Sequence, residues 1–311
     1  MDEEIKIHIN RCKLYIDFML SHHQWTGIHK EDVNRWINNF SGLSDDIISF
    51  AYTLLVNIIY YSEADIIVAL KEGVKNLLFK EIILQEQKKM HFRLSPQALY
   101  SILNDELRAS YFIPLLDKNA PHESSNFMLR LLTQNNIIEA NQSVFLRDLK
   151  IERSKYIRIV IVDDCVGSGD QLIEFWSRNA KINIDGSEYL LRDYCKLNQN
   201  IEVNYLTLFG YENNINALKN RLLGIKVFCV NLLLDKQRVF SNESYIWQGE
   251  ELFRARAMLE CLLNEKGVPL LGYKDLDFAF IMDKTIPDWS LPMLYKETSD
   301  WKPLLRRKST I

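Results

Sequence analysis

Arg158-Ile159-Val160-Ile161-Val162-Asp163-Asp164-Cys165-Val166-Gly167-Ser168-Gly169-Asp170-Gln171-Leu172 is the stretch whose reading decides the fold. A nearly continuous apolar run ends in two adjacent carboxyl groups, passes through small residues, and enters a helical pattern. Apolar residues without alternation predict a strand covered on both faces, as the strands of a parallel sheet are. The strand is expected over residues 156–162 and the helix from about residue 170 to about 179. In open α/β sheets the carboxyl ends of the strands are where ligands bind, so the turn between strand and helix is the first place to look for chemistry.

On either side of this stretch short apolar runs alternate with helical ones, which predicts a mainly parallel α/β sheet. Strands are expected over 110–116, 201–209, 225–233 and 278–282, and helices over 125–134, 214–223 and 245–264. Segments 181–200 and 234–249 are polar and of undetermined form. Before about residue 92 the pattern is helical and shows no convincing strand. Ile5, Ile9, Cys12, Ile16 and Met19 share one face, and Val33, Trp36, Ile37 and Phe40 a second. Ser44 precedes Asp45-Asp46 as an N-cap for Ile47, Phe50, Leu54 and Ile58, and residues 63–88 predict a further helix. Amphipathic stripes of this kind must pack on one another or on the next domain. The expected organisation is a helical N-terminal domain, 1–92, and an α/β domain, 93–311.

Hydrophobic residues make up 47% and charged residues 25% of 311, an ordinary mix for a globular protein able to bury a core without disulfides or structural metal. The formal net charge of -3 argues against holding nucleic acid by bulk electrostatics, although a local basic patch stays open. Cys12, Cys165, Cys195, Cys229 and Cys261 are scattered without CxxC spacing, which points to reduced thiols in a cytoplasm. The acidic start Met1-Asp2-Glu3-Glu4 has no signal-peptide pattern. The longest apolar run, about 47–61, is shorter than the roughly 20 residues of a membrane span and is interrupted by Ser49 and Asn57; it reads as a buried helix.

The chemistry of the turn follows from its residue types. Asp163 and Asp164 suit the 2′ and 3′ hydroxyls of a ribose. Gly167 and Gly169 let backbone N–H groups approach a phosphate closely, the helix start favours negative charge, and Ser168 adds a hydroxyl donor.

In its order of four apolar residues, two acids, two small or apolar residues and a hydroxyl–glycine turn, the segment resembles the 5-phosphoribosyl-1-diphosphate (PRPP) motif of type I phosphoribosyltransferases. That resemblance implies that Asp163 and Asp164 hold ribose hydroxyls and a metal-bearing substrate, and that Cys165, Val166, Gly167, Ser168, Gly169, Asp170 and Gln171 wrap the 5′-phosphate. It implies Mg²⁺ brought with a diphosphate. The sequence departs from the motif at Gln171, where Thr or Ser is usual, and at Asp170, whose charge lies beside the expected phosphate. By order along the chain, residues 117–126 occupy the place of the pyrophosphate loop, with His122, Ser124 and Ser125 as donors, but without that loop's common glycine. Residues 141–155, with Arg147, Lys150 and Arg153, occupy the place of a mobile catalytic loop or else form a solvated charged face.

Asp283-Lys284-Thr285-Ile286-Pro287-Asp288-Trp289-Ser290-Leu291-Pro292-Met293-Leu294-Tyr295, followed by Trp301-Lys302-Pro303-Leu304, resembles the ending of the phosphoribosyltransferase-like family of bacterial conflict systems. The resemblance runs from about residue 25 to 307 and includes Trp36 and Phe40. It implies an effector or regulated component of an anti-phage operon, with proteins of that operon as partners, a retron reverse transcriptase and its nucleic acid among them. The C-terminal segment itself is read as a structural arm over the sheet or a hood over a base. His22-His23 reads as an exposed helix end, Cys165 as packing, and Arg306-Arg307-Lys308 as a solvated tail or a phosphate-backbone contact. Two functional expectations stand side by side. One is an enzyme acting at the anomeric carbon of a ribose 5-phosphate group, by transfer or N-glycosidic cleavage; the other is an inactive PRPP or nucleotide sensor or scaffold.

Overall fold

The computed structural model describes residues 3–115, 124–152, 155–283 and 285–306. In chain order it contains helices α1 (Glu3–Ser21), α2 (Lys30–Ile37) and α3 (Asp45–Val56), strand β1 (Ile59–Tyr61), and helices α4 (Glu63–Glu72), α5 (Lys80–Lys89) and α6 (Pro96–Arg108). Strand β2 (Ser110–Pro114), helix α7 (Ser124–Gln134), strand β3 (Ile157–Val166) and helix α8 (Asp170–Glu174) follow. Then come β4 (Lys181–Ile184), β5 (Ser187–Leu190), α9 (Leu191–Leu197), β6 (Ile201–Tyr211), α10 (Glu212–Arg221), β7 (Lys226–Leu233), α11 (Gly249–Glu265) and β8 (Phe280–Met282). Among the described residues no helix is long and apolar enough to cross a membrane, and none of the five cysteines is in a disulfide.

The chain forms two compact units, residues 66–233 and residues 1–65 with 234–311. The first contains a four-stranded, wholly parallel sheet in the order β2-β3-β6-β7. β3 is central, with Ile157 to Val162 buried without interruption, as the sequence pattern requires for a strand with neighbours on both edges and cover on both faces. One face packs Ile159, Ile161, Val203, Tyr205 and Val227 into a core closed by Leu172, Trp176, Ile215 and Leu218. The amino end of β3 is held by charge. Arg158, 1% exposed, donates to Glu106 of α6 at 2.8 Å and lies 3.4 Å from Glu202 of β6, and its guanidinium sits over the Phe79 ring. A buried cation needs such partners. The polar stretch after residue 180 forms the antiparallel pair β4-β5 and α9.

The second unit contains α1–α3, α11 and a two-stranded parallel sheet of β1 and β8. Its core joins Ile16, Val33, Trp36, Phe40, Phe50 and Leu54 to Leu259, Leu263, Met293, Trp301 and Leu304. The apolar faces of the N-terminal helices are thus buried against α11 and the C-terminal arm. This is why the compact units divide at 65/66 and 233/234, where the sequence pattern suggested one boundary at 92/93. The arm is a structural element of this unit. Trp36 and Trp301 both donate their indole N–H to the Met293 carbonyl at 2.9 Å, and Phe40 lies edge-on to both rings.

The helical reading of the first 90 residues missed β1. The apolar run across 47–61 divides: α3 ends at Val56, Asn57 caps it by donating its amide to the Thr53 carbonyl, and the next three residues pair with β8. Three residues are too few to show a period. The expected helix over 63–88 is likewise divided into α4 and α5 by a π-helical turn, Gly73–Leu77. There Gly73 lies against Leu206 and Val230, so close that a Cβ would stand 3.0 Å from each. Ser44 takes the N-cap position of α3 but makes no side-chain cap bond, whereas Ser95 caps α6 by accepting from the Ala98 N–H.

Trp301→Ala removes a wholly buried indole and one of the two bonds to Met293. Chemical denaturation of this variant is expected to show a loss of about 3–5 kcal/mol, the usual cost of truncating a buried tryptophan.

Candidate functional site

β3 delivers Asp163 and Asp164 to the carboxyl end of the sheet, where the sequence reading expected them. Both are buried, at 6% and 4% exposed. Asp163 faces Thr207 of β6 in register and accepts from the Tyr205 hydroxyl at 2.7 Å and from the Asp164 N–H at 3.0 Å. Asp164 accepts from the Cys165 N–H at 2.8 Å and from Ser124 at the start of α7, and the two carboxyl groups hydrogen-bond to each other. Burial raises the Asp163 carboxyl well above the ordinary aspartate range, and the neighbouring Asp164 charge raises it further. Burial raises Asp164 too, against the lowering effect of the bonds from Ser124 and the Cys165 N–H. The two side chains are therefore unequal, with Asp163 the more readily protonated. Tyr205 is pushed up by its own burial and by the Asp163 charge, so it stays a neutral donor.

The loop after the pair is built for a tight turn into a helix. Gly169 is at φ +79, in the left-handed region that favours glycine, and a Cβ there would stand 2.7 Å from the Leu218 side chain. The Asn214 amide of α10 pins the loop by donating to the Gly167 carbonyl at 2.7 Å. Val166 turns into the core, so it can offer a ligand only its backbone. The Ser168 hydroxyl donates to the Asp170 carboxylate at 3.0 Å and lies 3.3 Å from the Asp170 N–H. Asp170 thus folds back onto the loop and occupies the hydroxyl that the sequence reading assigned to phosphate. Gln171 is exposed and Cys165 half-buried. The helix beyond is α8 followed by a π-helical turn, Phe175–Asn179.

The donors expected in the preceding loop separate. Ser124 meets the acid pair. Ser125, fully buried, gives its hydroxyl to the Leu115 carbonyl at 2.7 Å, so it braces the turn after β2 and is not available to an anion. His122 lies outside the described residues, as does Arg153. Arg147 is exposed beside Asp148, and Leu146 and Leu149 anchor that segment in the core.

Tyr205, Thr207 and Asn214 are the polar neighbours that sequence reading missed. Tyr205 lies in an apolar strand run, where an aromatic reads as core, and only the register between β3 and β6 brings its hydroxyl to Asp163. Among the described residues no group of three or more His, Cys, Asp or Glu could hold a metal ion. Two adjacent carboxyl groups do fit Mg²⁺ in its common mode, in which one or two carboxylates and substrate phosphates share the ion.

A parallel α/β unit with an acid pair and a glycine-turn loop at the carboxyl end of its central strand defines a type I phosphoribosyltransferase-like protein. The family model described as PRTase-CE matches residues 33–307, and the chain belongs to that family. Among solved structures, the orotate phosphoribosyltransferase of Aeropyrum pernix is similar at 15% identity over 52% of this chain and 67% of that one, with a TM-score of 0.25. No curated protein matches.

Two outcomes follow for the site. A carboxyl raised by folding contributes stability that is complete below the unfolded value near 3.9 and is lost as pH rises through the folded value. Asp163→Asn escapes that loss, so its melting temperature should exceed wild type at pH 7, with the gap closing as the pH falls to about 3.5. Gly169→Ala must adopt a left-handed φ and displace Leu218, and denaturation should show a loss of at least about 1–2 kcal/mol.

Proposed function

We propose that the protein acts on PRPP or a nucleotide at the anomeric carbon of a ribose 5-phosphate group, by transfer or by N-glycosidic cleavage. The observation that carries this reading is the buried, unequal pair Asp163–Asp164 at the carboxyl end of β3, followed directly by the Gly169 turn. Perturbed carboxyl groups held at a cost to stability mark functional sites. Asp164 orients the ribose hydroxyls, since it is the partner more readily ionised. Asp163, tied to Tyr205, keeps that carboxylate in place. Backbone N–H groups of the loop take the 5′-phosphate. Bond cleavage of this kind passes through an oxocarbenium-like state, which positioned negative charge stabilises. Mg²⁺, arriving with a diphosphate, would be held by the acid pair and would neutralise the leaving group.

Family membership and the C-terminal segment from Pro287 to Trp301 support an effector of an anti-phage operon, acting in the cytoplasm and restrained by its operon partners. The partner set would include a retron reverse transcriptase with its nucleic acid. A second reading, a PRPP or nucleotide sensor or scaffold without turnover, is favoured by one contact. Asp170 takes the Ser168 hydroxyl and sets a negative charge at the phosphate loop.

Metabolite profiling of cells expressing wild type and Asp163→Asn/Asp164→Asn separates the readings. The enzyme reading expects a change in nucleotide or PRPP pools that falls by about 10²-fold or more in rate in the double variant, because misplaced substrate geometry costs that much. Calorimetry with PRPP and Mg²⁺ should show binding by wild type. Binding with no metabolite change supports the sensor, and an equal metabolite change in both proteins would overturn the assignment of the site.

A further inference from the structure

Helices α5 and α6 form a hairpin in the 66–233 unit, and neither buries a single side chain completely. The turn between them is costly. His91 (φ +49) and Phe92 (φ +58) stand consecutively in the left-handed region, which side chains bearing a Cβ avoid and glycine would enter freely. The Phe92 N–H donates to the Gln87 carbonyl at 2.6 Å and the Arg93 N–H to the Met90 carbonyl at 3.0 Å, so the turn is bonded in this form. Met90 (52%) and Phe92 (67%) are exposed in it, and Tyr100 (68%) is exposed one turn into α6.

The same tip concentrates charge. Lys88, Lys89 and Arg93 place three cations within six residues that contain no acid, in a chain whose net charge is -3. Lys89 reaches Glu86, but an exposed pair of this kind is weak and yields to competition. Strain held in a solvent-exposed aromatic gains nothing for the core, and outliers of this sort gather where a site is used. Cations this dense, lysines above all, suit the core of a protein–protein contact poorly. They suit a polyanion, and the exposed rings suit one that carries planar apolar groups.

We propose that the tip of the α5–α6 hairpin binds single-stranded nucleic acid. Phe92 stacks on a base, and Lys88, Lys89 and Arg93 lie along the phosphates. The site is independent of the acid pair and of any turnover there.

The test uses the full chain and fluorescence anisotropy with labelled oligothymidine DNA and oligouridine RNA of about 20 nucleotides, enough to span a site of this type. Binding by either polymer is expected, with a slope of about -2 in log affinity against log salt for three phosphate contacts. Phe92→Gly is the diagnostic variant. It removes the ring and the strain together, so its melting temperature should hold or rise while its affinity falls about tenfold. Lys88→Ala/Lys89→Ala/Arg93→Ala should remove binding along with its salt dependence. The proposal is overturned if neither polymer binds at low salt, or if both variants bind as wild type does. Phosphatidylserine vesicles are the competing arm. Vesicle binding that these variants abolish, with no oligonucleotide binding, would assign the tip to membrane and overturn the proposal as well.

Discussion

The Tyr205 hydroxyl donates to Asp163 across 2.7 Å at the buried end of the central strand, a contact set by the register of β3 against β6. Two adjacent carboxyl groups cannot both be ionised in a nearly dry site at low cost. The structure responds by making them different. Asp163 takes the phenol and a backbone N–H, while Asp164 takes Ser124 and a second backbone N–H. At the opposite end of the same strand Arg158 is buried against two glutamates, so β3 carries an anchored cation at one end and a buried acid pair at the other. The burial of the first is offset by its partners. The second lowers stability at neutral pH, because burial raises both carboxyl groups.

The loop after the pair shows how the same framework can be turned toward catalysis or toward binding. Gly169 and Leu218 fix the turn sterically, and Asn214 ties it to α10, so the path of the backbone depends little on the exposed side chains. Asp170 is one of those side chains. Its contact with Ser168 puts an anion where a phosphate would approach, and a ligand would have to displace the carboxylate or come with a cation that bridges both. The departure from the usual loop therefore changes the charge at the turn without changing the path of the backbone.

In the other unit, the Met293 carbonyl plays the organising part. Two indole N–H groups from sequence positions more than 250 residues apart converge on it, an acceptor of the kind buried indoles usually find. The C-terminal motif, open to reading as a structural arm or as a hood over a base, contributes Met293, Leu294 and Trp301 to this unit's core.

Local pattern was enough to read the parallel α/β class, the position of the acid pair and the helix after the glycine turn. An unbroken apolar run, two carboxyl groups and a Gly-Ser-Gly turn are each set by neighbours in the chain. The short strand β1 was not legible, because three residues carry no period and its partner lies more than 200 residues away. Composition could not divide the chain into its units either, since amphipathic helices state that they must be buried but not against what. At the site, Ser124 and Ser125 are indistinguishable as neighbouring hydroxyls. Only the fold turns one to Asp164 and the other to the Leu115 carbonyl, and only sheet register brings Tyr205 to Asp163. The sequence by itself determined which chemical groups are present and the strand–turn–helix that presents them. Their protonation and availability were decided by the tertiary structure, because both depend on burial and on partners from distant strands and helices.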